Sequence, residues 1–341
     1  MTKICIIGAG KIGLAVKQLL SKYNYELCIL DTHPEALADV HIKAYNEAEL
    51  IDHIKDMDIV ISCATFHANR SIAKTCAKNG IAYFDLTEDV GVTDYIKQLK
   101  STSILMPQCG LAPGAVNIIA SDLMTQVSDI YDVKVRVGSL PINATNAFRY
   151  YLTWSTEGLI NEYCQLVDVL TQGQKIKVQP LDGLETLYVD ETPYEAFYTS
   201  GGIASMCDEY AGVVPNMSYK TIRYPGHQAH MKFLLEDLNF KDDPAQLVAL
   251  FNKAVPYTQK DVVVILITVK GIIHGRLEEV TYQRKIYGNE SFSAIQLATA
   301  SGVCAVVQAF IEGKISGQGF QSQSSIPFDI FTSNSFGALY A

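Results

Sequence analysis

Short apolar runs alternate with amphipathic ones through the first third of the chain. KICII (3–7) is continuously apolar and stops at Gly8-Ala9-Gly10-Lys11-Ile12-Gly13. LAVKQLLSKY follows, with Leu14, Val16, Leu19 and Leu20 on helical spacing, and YELCILD reads as a second strand ending in an acid. AELIDHIKDM is amphipathic, DIVISCAT reads as a buried strand, and NRSIAKTCAKNG as a helix closed by Gly80. IAYFDLTED is a strand ending in acids, VTDYIKQLK a helix and SILMPQCG a further strand. This alternation predicts an α/β Rossmann domain, a doubly wound parallel sheet. Ligands of such sheets lie outside the carboxyl ends of the strands, which brings residues 62–67, 85–88 and 109–117 to one edge.

Beyond residue 125 the pattern changes to longer β-rich runs. DIYDVKVRVGSL, FRYYLTW, QKIKVQPL, YKTIRY, DVVVILITVKG and LEEVTYQRKIY read as strands, several of them alternating. Two helices are expected among them: TEGLINEYCQLVDVL, with Ser155 as N-cap, and AHMKFLLEDL. An inserted α+β domain with a largely antiparallel sheet follows. The apolar SAIQLATASGVCAVVQAFIEG reads as a core helix of the first domain, to which the chain returns. The expected division is a dinucleotide-binding domain at 1–125 and 293–341, and a substrate-binding and dimerisation domain at 126–292. The strands at 262–287 would leave one sheet face exposed in a lone chain, so a homodimer through the second domain is expected.

Composition narrows the partners. With 341 residues, 48% of them hydrophobic, the chain can fill two cores. A net charge of -9 with scattered Lys and Arg argues against nucleic acid or an anionic membrane surface. Eight cysteines show no CxxC and no metal-ligand spacing, so no metal is expected and a reducing, cytoplasmic setting is. KICIIGAG lacks the form of a signal peptide, and no stretch is expected to reach the ~18 uncharged apolar residues of a membrane span.

The first glycine cluster carries the most specific chemistry. GxGxxG between a strand and a helix allows a tight turn, close approach of a pyrophosphate, and helix–strand packing. The candidate cofactor contacts here are Gly8, Gly10, Lys11, Ile12 and Gly13. Asp31 stands eighteen residues after Gly13, where a carboxylate can accept from the adenosine ribose diol and repel a 2′-phosphate. NAD is therefore expected over NADP, with Thr32 beside it. Ser62, Cys63 and Ala64, and later Cys109 and Gly110, complete the candidates at the strand ends.

Four side chains are candidates for the reacting site. Asp85 in FDLTED, with Glu88 close by, offers a carboxylate for a cationic amine or iminium, and equally a helix cap. Trp154, the lone tryptophan, in YYLTWSTEGLINEY is either a pocket wall or a hydrophobic plug. Arg223 in TIRYPGHQAH suits bidentate capture of a substrate carboxylate, and equally a salt bridge, with Tyr224 beside it as a wall. AFYTSGG is a polar turn whose hydroxyls and amides could also hold a carboxylate. His227-x-x-His230 has helical spacing but no third ligand, and His67 reads as a loop histidine.

Taken in order, GAGKIG, FDLTED, CGLAPGAVNIIA, TWSTEGLINEY, EAFYTSGG and IRYPGH resemble the saccharopine dehydrogenase-like family, above all its lysine 6-dehydrogenase branch. The resemblance spans residues 6 to about 230. It implies nicotinamide-dependent oxidation at a carbon bearing nitrogen, with an amine or amino acid as substrate. It also implies that the GLAPG turn follows the strand beneath the nicotinamide and frames the amine, with Gly110 letting the backbone approach the ring. Ala112 stands where saccharopine reductases carry Asp, which favours the lysine-type branch. The rival readings are a synthase that uses NAD internally, of homospermidine or carboxynorspermidine type, and a non-catalytic NAD-binding regulator.

Overall fold

The computed structural model describes residues 1–32, 43–44, 49–203 and 205–341. The chain divides into two compact units, Met1–Ile118 with Gln296–Ala341, and Ile119–Ile295. The first holds strands β1 (Lys3–Ile7), β2 (Glu26–Asp31), β3 (Lys43–Ala44), β4 (Ile59–Ser62), β5 (Ala82–Asp85) and β6 (Ile104–Met106), and helices α1 (Lys11–Leu20), α2 (Leu50–Ile54), α3 (Phe66–Asn79) and α4 (Val90–Lys97). The strands pair in parallel in the order β3-β2-β1-β4-β5-β6, and Gly319–Phe320 adds a seventh beside β6. That order reverses at β1, and a ligand crevice opens where the order reverses.

Apolar runs became strands because both sheet faces are covered: Ile4, Cys5, Ile6 and Ile7 have no exposed surface. α1 turns Ala15, Val16, Leu19 and Leu20 inward. Gly80 closes α3 in the left-handed conformation, and the Asp89 carboxylate caps α4 through Val92 N at 2.7 Å.

The helix Ala294–Ile311 corrects one expectation. It runs 18 residues without a charge at a mean hydropathy of 1.7, so one stretch does reach membrane length by composition. Ala298, Val303, Cys304, Ala305 and Val307 are wholly buried in the chain, and Gln308 accepts from Tyr25 Oη at 2.6 Å. That is the packing of a core helix.

The second unit begins within α5 (Ala115–Thr125). It contains β7 (Ser128–Pro141), α6 (Thr156–Cys164), β8 (Val167–Thr171), β9 (Gln174–Val178), β10 (Glu185–Val189), β11 (Thr192–Tyr198), α7 (Met206–Tyr210), β12 (Met217–Arg223), α8 (His227–Lys232), α9 (Pro244–Ala254), β13 (Asp261–Ile273) and β14 (Arg276–Tyr287). The sheet order is β10-β11-β12-β7-β13-β14, antiparallel except for β12 with β7, and the β8–β9 hairpin joins β12.

Several local expectations change here. FRYYLTW is not a strand but an irregular segment, with Arg149 at positive φ and a lone bridge, Leu152 to Tyr257. Tyr150 and Leu152 bury in the cluster around α6 and α9 instead of joining a ladder. The helix begun by Ser155, whose Oγ accepts from Gly158 N, stops at Cys164. Val167–Thr171 turns into β8 because Gln172 and Gly173, both at positive φ, form a hairpin turn to β9. AHMKFLLEDL splits into α8 and a π turn, Phe233–Asp237. α9 was not anticipated, although Asp243-Pro244 is a strong start signal and Asp243 does cap Gln246 N. β13 is buried on both faces along most of its length within one chain. The exposed face on which the homodimer expectation rests is therefore confined to β14.

Asp85, at the end of β5, braces the first sheet. Its Oδ1 accepts from the amides of Thr87 (2.9 Å) and Gln108 (3.0 Å), and its Oδ2 from Tyr83 Oη (2.8 Å). The residue has no exposed surface, and burial lifts its pKa to about 6 against the pull of those bonds. The folded chain thus keeps a proton that the unfolded chain releases. This group's contribution to stability is complete below about pH 4 and is lost as the pH rises through about 6. Asp85→Asn can keep all three contacts, with Nδ2 donating to Tyr83, and should abolish that decline in denaturant unfolding between pH 4 and 7. Asp85→Ala strands two buried amides and a hydroxyl, and should cost roughly 2–4 kcal/mol. An unchanged pH profile in Asp85→Asn would refute the brace.

Candidate functional site

The three fingerprint glycines meet three different surroundings. A Cβ on Gly8, at φ +98°, would stand 2.6 Å from the Cys63 carbonyl oxygen, and one on Gly13 would collide with the Gly8 carbonyl. A Cβ on Gly10 would meet nothing within 4 Å. The first and third glycines pack main chain on main chain, while the second faces open space at the N-terminus of α1. That is the cradle a pyrophosphate requires, with amide donors and the positive end of the helix dipole at hand. Asp31 lies against the same turn: its Oδ2 accepts from Ala9 N at 2.7 Å. The residues present fit a dinucleotide.

The other candidates at this edge serve the protein first. Ser62 is buried, with Oγ donating to Asn69 Oδ1 at 2.7 Å. Cys63 and Ala64 border Gly8 through their backbone, and burial pushes the Cys63 thiol up to about 12, so it is no thiolate. Phe66 and His67 form an exposed pair of rings after β4, tilted by 36° at 3.9 Å. Cys109 is buried, with its amide on the Asp85 carbonyl. Gly110 accepts from Ala115 N at 2.9 Å, and the helix Ala294–Ile311 presses Gly302 onto the Gly110 carbonyl. Gly114, at φ +139°, likewise has no room for a Cβ beside Gly110, and Asn117 Oδ1 accepts from its amide. The Gly110 Cβ position itself faces Pro113, Leu86 and Thr299 at 3.3–3.6 Å. The GLAPG turn is thus a main-chain packing joint. With all its lone-pair contacts inside the protein, Asp85 is not positioned to hold an amine; Glu88, three residues on, is exposed.

The second unit gathers a polar cluster around Arg223. Its guanidinium is buried, yet among the described residues no carboxylate forms an ion pair with it. Its Nε donates to Tyr163 Oη at 2.8 Å and its Nη1 to the Ile222 carbonyl, and it lies over the rings of Tyr150 (5.1 Å) and Tyr163 (5.8 Å). Tyr163 Oη then donates to His227 Nε2 (3.2 Å), whose Nδ1 donates to the Phe148 carbonyl (3.4 Å). This tautomer follows from the network. Burial and the Arg223 cation hold the His227 pKa well below the usual range, so the ring is neutral. Tyr150 Oη is buried without a hydrogen-bond partner among the described residues.

Of the predicted neighbours, Trp154 belongs here. It packs against the cluster that contains Tyr150 and Tyr163, its six-membered ring against Gly158, so plug and wall describe the same side chain. Tyr224 does not: it stacks on Tyr194 at 5.6 Å and donates to the Pro141 carbonyl, with the cluster on the other face of the sheet. The TSGG turn is tied inward, Thr199 bonding Thr221 and Ser200 N bonding the Glu162 carbonyl. Sequence reasoning missed Tyr150 and Tyr163. Their only signal was a run of tyrosines flanking the tryptophan.

Comparison with known proteins gives two family matches and a consistent fold. The saccharopine dehydrogenase NADP binding domain matches residues 4–105, and the saccharopine dehydrogenase C-terminal domain residues 110–331. The structure is similar to apo saccharopine dehydrogenase (L-Glu forming) from Saccharomyces cerevisiae, with a TM-score of 0.76 at 14% identity over 98% of this chain and 96% of that one. It is also similar to a homospermidine synthase from Legionella pneumophila in complex with NAD, with a TM-score of 0.70 at 12% identity over 99% and 89%. An engineered D-amino acid dehydrogenase bound to NADP+ follows at 0.56 and 12% identity, over 99% and 98%. At these identities the structures speak for the fold. The two domain matches, laid end to end along almost the entire sequence, carry more: this chain belongs to the saccharopine dehydrogenase family and has its NAD(P)-binding oxidoreductase fold.

Proposed function

We propose that the protein is an NAD-dependent dehydrogenase of an amino acid, oxidising a carbon that bears nitrogen, with Arg223 anchoring the substrate carboxylate. The observation that carries this reading is the buried, unpaired guanidinium. Burying a cation with no carboxylate at contact distance is costly, the Glu162 charge acting on it only from further off, and a bound anion would offset that cost. Tyr163 Oη accepts from Arg223 Nε and donates to neutral His227, which fixes the guanidinium plane. Held in that way, the fork needs little reorganisation to bind a carboxylate. When bound, the nicotinamide supplies a hydride acceptor, and the protein's part is to orient the carbon–hydrogen bond and exclude water.

A second reading, an internal-redox polyamine synthase, draws on the likeness to homospermidine synthase. Net NADH release in proportion to substrate consumed supports the dehydrogenase, and turnover without it supports the synthase.

Although the matching domain is named for NADP, the Asp31 carboxylate beside Ala9 N favours NAD. NAD should bind at least about tenfold more tightly than NADP, a gap of ~1.4 kcal/mol, and Asp31→Ser should narrow it. Equal affinities measured by calorimetry on the unaltered protein would overturn the assignment.

Arg223→Ala should lower kcat/KM for an amino-acid substrate by roughly 2–4 kcal/mol, because a charge-assisted contact is lost where it is buried. The decarboxylated amine should be nearly indifferent, and NAD affinity unchanged. Tyr163→Phe should raise KM for the carboxylate substrate while leaving the amine alone. Comparing both substrates in both proteins closes a double-mutant cycle. A coupling energy near zero would make Arg223 structural and point to a polyamine.

A further inference from the structure

The second sheet uses its two faces differently. Phe197 of β11 packs with residues of α6, α8 and α9 on the face that carries Arg223. On the reverse face Leu140, Ala196, Ile222 and Val264 form an apolar cluster. This is enclosed because the sheet's edges meet: Gln283 donates to Asp190, and Lys285 to the Val189 carbonyl. At the other end of that face opens a groove of about 420 Å3, lined by Lys134, Lys220, Lys270, Asp132, Tyr198 and Ser218 among others. Ladder register sets them side by side: Lys220 next to Tyr198, Ser218 next to Lys134, and Asp132 next to Lys270.

The local charge is reversed from that of the chain. Three lysines line the groove against one carboxylate, in a protein of net charge -9. Lys220 is the built element. Its side chain is 9% exposed, its Nζ donates to the Gly183 carbonyl (2.6 Å) and stands 3.4 Å from Glu185, and it lies over the Tyr198 ring at 5.0 Å. Glu185 is shared with Arg136, so one carboxylate serves two cations. An ammonium has three donors, and two are thus engaged. Burial lowers the pKa of Lys220 despite Glu185, a penalty that an anion in the groove would relieve. Lys134 is paired with Asp132 at 2.9 Å, while Lys270 forms no ion pair among the described residues, although Glu279 is its register partner on β14.

We propose that this groove binds a small dianion bearing carboxylate or phosphate groups, at a site separate from that of Arg223 and on the reverse face of the same strand, β12. The volume suits a metabolite. Hydroxyls of Tyr198 and Ser218 supply directional donors beside the ammonium groups.

Titration calorimetry of the full chain with succinate and with inorganic phosphate tests this. Saturable binding of at least one probe is expected, weakened about tenfold or more by Lys270→Ala and by Lys134→Gln. Both lysines are accessible, so the variants should unfold at the temperature of the unaltered protein. Arg223→Ala should leave this binding intact, which separates the groove from the carboxylate anchor proposed above. Preference for succinate identifies a carboxylate ligand, and preference for phosphate a phosphorylated one. Absence of saturable binding by both probes, indifference to both lysine variants, or loss of binding in Arg223→Ala would each overturn the proposal.

Discussion

Main chain packed directly on main chain sets the ligand edge of the first unit. Gly8 lies against the Cys63 carbonyl, Gly13 against the Gly8 carbonyl, and Gly302 against the Gly110 carbonyl. At each point a single methyl group would force backbone apart, and backbone cannot yield as a side-chain tip can. The first two contacts bring the β1 and β4 ends together around Gly10, which alone of the three fingerprint glycines faces open space. The phosphate cradle is therefore a by-product of how tightly its neighbours are joined. The uncharged turn at 110–114 is a second joint of the same kind.

Four buried ionisable groups show how differently this chain treats charge. Asp85 accepts three hydrogen bonds and is still pushed towards protonation, so its work is mechanical. Asp261 accepts from the amides of Ala294 and Ile295, capping the long apolar helix. Lys220 shares Glu185 with Arg136. Arg223 receives aromatic faces and a hydroxyl oxygen at contact distance, with the Glu162 charge acting only from further off. Groups whose lone pairs or protons are all spoken for hold the fold, whereas one left incompletely neutralised marks a place for a ligand.

Much of the fold was legible in the chain itself. Strand, glycine turn, helix, strand and acid in that order specify the nucleotide unit, because each glycine is required by a local backbone contact and each apolar run by burial on both faces. The motif order specified the family, and the tryptophan segment specified a helix start at Ser155. What local pattern could not decide was which partner each residue would meet. FRYYLTW has the composition of a strand, yet its tyrosines found more apolar surface among α6 and α9 than a ladder offered. QLVDVL has the period of a helix, and the turn at Gln172-Gly173 made it a strand. Asp85 and Glu88 are both acids at one strand end, and only the tertiary positions of Tyr83, Thr87 and Gln108 made the first a brace. Arg223 and Tyr224 are adjacent in sequence, but the pleat sends them to opposite faces of the sheet, one into the polar cluster and the other onto Tyr194. The order of residues determines the chemistry available at each position. The register of the sheets and the packing of helices on them decided which of those groups are consumed by the fold and which remain for a ligand.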